Sequence, residues 1–121
     1  MSIALLAVSM LATPSQADQP FYQTIAQCTG RLSAEMEHAW LMNDPAADAF
    51  EGQRREFVSI LGAVIPIGSG PEVLQTRIEA KFAHERLLNL AAFGTDPERA
   101  VWARKRSKYY RERCKNLLLR G

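Results

Sequence analysis

Apolar positions recur at helical spacing in four separate stretches of the chain. In the first, Phe21, Ile25, Cys28, Leu32, Met36 and Ala39 follow one another at steps of four, three, four, four and three. That spacing sets them along one face of a helix running roughly from Pro20 to Asn43. Tyr22 and Trp40 flank the stripe, and Arg31, Glu35 and His38 form a polar ladder beside it. Gly30 is expected on the outer face, where it costs about 1 kcal/mol against alanine.

Asn43-Asp44-Pro45 is a stop and a restart, with Asp44 able to cap a second helix and Pro45 at its first position. This helix reaches about Val64 and places Ala46, Phe50, Gln53, Phe57, Ile60, Leu61 and Val64 on one face, with Glu51, Arg55 and Ser59 turned away. The run Pro66 to Pro71 (PIGSGP) is the strongest break and reads as a short loop. The third helix runs from Pro71 to about Phe93, with Leu74, Ile78, Phe82, Leu88 and Ala92 as its apolar face. Lys81 and Glu85 fall inside that arc, so charge invades a core stripe there.

Gly94 suits the C′ position of the third helix. Thr95 with Glu98 forms a capping box, and Asp96 with Pro97 is the competing cap of the fourth helix, which ends near Leu119. On that helix Ala103, Ser107, Tyr110, Cys114 and Leu117 make a core stripe. No β-alternation of useful length and no internal repeat interrupts the helical pattern. Short connections favour antiparallel neighbours, so the expected fold is all-α: an up-down-up-down four-helix bundle.

The leading segment stands apart. Ile3 to Ala12 is apolar and uncharged, and Ser15-Gln16-Ala17 places small residues before a cut after Ala17. Residues 1–17 thus read as a secretory signal peptide, although the segment lacks a basic residue, and residues 18–121 read as a single helical domain. The apolar run is too short to span a bilayer. A periplasmic or secreted location follows as the expectation, and with it an oxidising compartment. Cys28 and Cys114, the two cysteines of the chain, then read as a disulfide between the first and last helices. An up-down-up-down arrangement brings the start of the first helix and the end of the fourth to the same end of the bundle, which is where these cysteines fall.

Charge is strongly polarised. From Asp96 onward nine Lys or Arg oppose three Asp or Glu, a net +6, whereas the remainder carries a net −4. Arg104, Lys108, Arg111 and Lys115 form a basic outer stripe on the fourth helix, and Trp102, Arg106, Tyr109 and Arg113 alternate aromatic and guanidinium beside it. Such a surface fits either a solvated face or docking to something anionic.

Catalytic motifs are weak. Glu35-Met36-Glu37-His38 has the E-x-x-H spacing of di-iron bundles, but the second such motif is missing, because Lys81 precedes His84 by three. Lys81, His84 and Glu85 could form a polar anchor in a groove, but neither a nucleophile nor a cofactor motif accompanies them. No metal or cofactor is expected, and no enzymatic activity. The expected function is a small exported interaction protein. Its partner is an unknown protein or an anionic envelope component, bound through the basic and aromatic last helix. The alternatives are direct binding of an anionic polymer or lipid headgroup, and a metal-binding or enzymatic bundle built on Glu35, His38, His84 and Glu85. A nucleic-acid partner is not expected.

Overall fold

A computed structural model describes residues 3, 4, 7 and 19–119 of the 121. The leader reading therefore lies outside the described residues except at Ile3, Ala4 and Ala7. Four helices follow: α1 (Phe21–Leu41), α2 (Ala47–Val64), α3 (Gly70–Phe93) and α4 (Pro97–Leu119). They form the expected four-helix bundle, and a Cys28–Cys114 disulfide ties the first helix to the last, with Cα atoms 5.6 Å apart. Because it closes a loop spanning 86 positions, the bond stabilises the fold by about 4–5 kcal/mol in the chain-entropy treatment.

α1 is the hub. It packs most extensively on α3 and then on α2, while α4 lies mainly against α3. Among the described residues, α2 and α3 do not bring any Cα pair within 8 Å, so they flank α1 with a groove between them. The core gathers Ile25, Ala26, Cys28 and Leu32 of α1 with Phe57 and Leu61 of α2, Val73 of α3 and Cys114 of α4. Phe50, Ile60 and Leu117 pack around it. The first helical stripe is buried from Ile25 onward, but Phe21 is exposed; Val64 likewise lies at the surface of α2.

Gly30 departs from expectation in an informative way. It is buried at the α1–α3 crossing, not on an outer face. A Cβ there would overlap the Arg77 carbonyl oxygen and press on the Ala80 Cβ at 3.1 Å. The missing side chain lets the two backbones approach closely. Ala26, Thr29, Ser33 and Ala34 are also buried, so α1 is enclosed on more than the single stripe that its periodicity marks.

This crossing rotates α3. Its buried positions are Val73, Ala80, His84 and Leu88, whereas Leu74 (54% exposed), Ile78 (39%) and Phe82 (51%) lie outside. The apolar face read from spacing is therefore largely a surface strip. The helix seats the side that carries Ala80 and His84 because α1 offers Gly30 and Glu35 there, a gap and a hydrogen-bond acceptor.

The ends follow local chemistry. Asn43 closes α1 in the left-handed region at φ 53°, a conformation that asparagine tolerates. Gly94 is extended and does not use that freedom. The Asp44 carboxylate accepts the Ala46 N–H, and Pro45 lies in a turn ahead of α2. In the α2–α3 loop the Ser69 N–H donates to the Pro66 carbonyl across Gly68 at φ 86°, a conformation that favours glycine. Asp96 is the cap of α4, accepting from the Glu98 and Arg99 amides at 3.0 and 3.4 Å.

Candidate functional site

The charged residues of α4 separate into an outward set and an inward one. Arg104, Lys108 and Lys115 are exposed, and Lys108 sits 3.9 Å from Glu112 in a solvated pair. Trp102 and Tyr109 are about half exposed. Arg106 and Arg113 lie 5.7 and 5.6 Å from the Tyr109 ring centroid, and Arg106 is nearer still to Tyr110, at 5.3 Å, so part of the expected aromatic–guanidinium ladder forms around Tyr109, with Trp102 outside these contacts. These contacts hold two long side chains against a flat ring, and Arg113 also donates to the Tyr109 hydroxyl at 3.5 Å.

Arg111 does not belong to the outer stripe. It is two-thirds buried and donates to Glu35 Oε1 at 3.3 Å. Glu35 is itself buried (5% exposed), and its carboxylate also receives His84 Nε2 at 2.9 Å. His84 is fully enclosed. Its Nδ1 lies 3.2 Å from an Arg31 guanidinium nitrogen, which can only donate. His84 therefore accepts at Nδ1 and donates at Nε2. Arg31 lies over the Tyr110 ring, 3.6 Å from its centroid, and the His84 ring meets the edge of Tyr110. Arg31, His84, Glu35, Arg111 and Tyr110 thus form one polar cluster joining α1, α3 and α4. No buried side-chain nitrogen or oxygen lacks a partner among the described residues.

The polar ladder of Arg31 and Glu35 beside the core stripe does not face solvent. Burial of α1 on two sides brings them inside instead. The available signal was the run of small residues around Gly30, which foreshadows close packing, together with an arginine and a glutamate four apart on that helix.

Lys81, His84 and Glu85 are not brought to one groove. Lys81 lines the cleft between α2 and α3 with Met36, Glu37, Arg54, Arg77 and Ile78. Its ammonium binds Glu37 at 2.8 Å, with Glu85 at 4.0 Å. Glu85 is held above the usual carboxylate range, first by desolvation and then by its hydrogen bond to Glu37, against the opposing pull of Lys81. Burial lowers the pKa of Arg77, and nearby Arg54 pushes it the same way. His38 turns aside from Glu35 to meet the Phe93 ring edge-on at 6.4 Å. Among the described residues, no three His, Cys, Asp or Glu side chains group in a way that could hold a metal ion, and no helix is long and apolar enough to cross a membrane.

A second feature of α4 faces α1. Beside the disulfide lies a cleft of about 320 Å³ that Arg31, Tyr110 and Arg113 help to line. No family model, no curated protein and no solved structure matches the chain.

Proposed function

We propose that the chain is a small exported interaction protein that docks an acidic protein partner on the exposed face of α4. The observation that carries this reading is the division of labour on that helix. Ala100, Ala103, Ser107 and Cys114 supply the buried stripe, and Arg111 is absorbed by Glu35. Arg104, Lys108 and Lys115, with Trp102 and the Arg106–Tyr109–Arg113 ladder, remain at the surface; among the described residues the one bond from this set to another helix is Arg104 to the Ala91 carbonyl, exposed and long at 3.5 Å. Aromatic and arginine side chains in such proximity supply the contact area favoured at protein interfaces. Export is part of the proposal. The apolar leader pattern, the disulfide between α1 and α4 and the lack of a spanning helix among the described residues support it.

The test is capture from the native envelope with wild-type protein and with Arg104→Gln/Lys108→Gln/Lys115→Gln. Loss of the captured partner, with a flattened salt dependence, is the expected result. Equal capture at low and moderate salt by the variant would reduce the face to solvated charge. Retention of both proteins on anionic vesicles, without a protein partner, would favour direct headgroup binding instead. Mass spectrometry from the native host should give a chain beginning at Asp18.

A further inference from the structure

The cleft between α1 and α4 gathers positive charge, and its Arg31 also borders an adjoining cleft that Glu72 and Glu79 help to line. Thr24, Gln27 and Arg31 line the α1–α4 cleft from α1, and Tyr110, Arg113 and Asn116 from α4. Among the described residues no Asp or Glu lines it, and no carboxylate lies within 4 Å of Arg31, Arg106 or Arg113. Arg31 is fixed in place: its guanidinium lies over the Tyr110 ring, and one nitrogen donates to His84 Nδ1. A guanidinium has five N–H donors, so most of this one's capacity remains available. Burial lowers the Arg31 pKa, and Arg106 and Arg113 add to that, partly offset by Tyr110. Two like charges therefore converge on a partly desolvated third. The nearest buried carboxylate, Glu35, is already engaged by His84 and Arg111.

A pre-positioned guanidinium with a second, exposed one across a cleft suits a multiply charged oxyanion with several acceptor oxygens. At about 320 Å³ the cleft is larger than a bare oxyanion needs; Thr24, Gln27 and Asn116 add hydroxyl and amide to its wall, and the disulfide and Leu117 form its apolar part. We propose that it binds a small phosphate-bearing solute. Arg31 and Arg113 grip the phosphate, and the hydroxyl and amide side chains hold the polar remainder. This site shares Arg113 with the docking ladder, but Arg104, Lys108 and Lys115 do not line it.

Titration calorimetry on the disulfide-bonded protein tests this, with inorganic phosphate and glycerol 3-phosphate as probes and acetate and glycerol as controls at constant ionic strength. Saturable one-to-one binding of the phosphate probes is expected, with glycerol 3-phosphate the tighter and the controls weak. Arg113 is exposed, so Arg113→Gln should fold as wild type and bind about tenfold or more weakly. Arg31→Lys keeps the charge but loses the planar donor fork, and should weaken binding similarly. Its thermal transition without ligand shows whether the fold is intact. No saturation in the millimolar range, or unchanged affinity in Arg113→Gln, overturns the proposal. Arg104→Gln/Lys108→Gln/Lys115→Gln should bind phosphate as wild type does. If that variant alone loses binding, the anion sits on the outer face and the cleft assignment fails, while docking through α4 stands.

Discussion

His84 gives its single ring N–H to Glu35, across 2.9 Å and with neither side chain more than a few per cent exposed. The direction of that hydrogen bond is fixed from the far side of the ring. Arg31 is a donor only, so Nδ1 must be the acceptor and the proton must sit on Nε2. Long-range nitrogen–proton NMR of the folded protein at neutral pH should therefore show His84 as the Nε2–H tautomer. A ring protonated at Nδ1 would mean that Arg31 points elsewhere.

Glu35 gathers two donors from two other helices, His84 from α3 and Arg111 from α4. Replacing it with alanine leaves both without that acceptor, His84 fully enclosed and Arg111 about a third exposed. Leaving a buried donor unsatisfied typically costs about 1–3 kcal/mol. Glu35→Ala should lose about that much in urea unfolding, and Glu35→Gln, which can still accept, less. A loss below about 1 kcal/mol would mean that water satisfies the cluster in solution.

Two glycine substitutions should move in opposite directions. At Gly30 a methyl group would overlap the Arg77 carbonyl oxygen, which belongs to the backbone of a packed helix. Gly30→Ala should therefore destabilise by about 1–3 kcal/mol despite the better helix propensity. At Gly52 of α2 a Cβ would meet nothing within 4 Å. Gly52→Ala should stabilise by about 0.5–1 kcal/mol. Urea midpoints of the two variants check both signs; a stabilising change at position 30 would contradict the close crossing.

The contrast between α4 and α3 shows what spacing conveys. On α4 the stripe of Ala103, Ser107 and Cys114 is buried as read, because charge surrounds it on every other side. On α3 the apolar residues Leu74, Ile78 and Phe82 outcompete His84 in any hydropathy count, yet His84 is the one enclosed. Its burial depends on an acceptor supplied by Glu35, 49 positions earlier, and that pairing has no local signature. The disulfide was legible because its two cysteines admit one pairing. The Arg31–Tyr110 contact was not, because each residue alone fits an ordinary helix position.

Glu85 makes a pH-dependent prediction. Its carboxyl is held above the usual range by desolvation and by Glu37. A raised folded-state value means that its contribution to stability is fully present below the unfolded value and is lost as pH rises through the folded one. Glu85→Gln mimics the protonated form. It should match wild type near about pH 4 and exceed it at pH 7 by a few tenths of a kcal/mol, a small effect because the side chain is about a third exposed. Lower stability of the variant at pH 7 would show that the 4.0 Å contact with Lys81 outweighs the repulsion from Glu37.

The basic residues of α4 should separate by role when changed one set at a time. Arg111 reaches a buried carboxylate, and its loss leaves Glu35 with His84 alone. Hydrogen bonds to charged groups contribute about 1.5–3 kcal/mol, so Arg111→Gln should destabilise by up to that amount. Arg104, Lys108 and Lys115 reach no buried carboxylate; Arg104 makes only an exposed 3.5 Å bond to the Ala91 carbonyl. Arg104 and Lys108 are like charges four apart, as are Arg111 and Lys115, and each such pair costs a few tenths of a kcal/mol. Lys108 gains a comparable amount from solvated Glu112. The triple change to glutamine should therefore leave unfolding within about 0.5 kcal/mol of wild type. Equal losses in both variants would place the outer stripe in the fold and remove the main reason for assigning it to a partner. A stable triple variant beside a weakened Arg111→Gln would leave Arg104, Lys108 and Lys115 as charges that folding does not require.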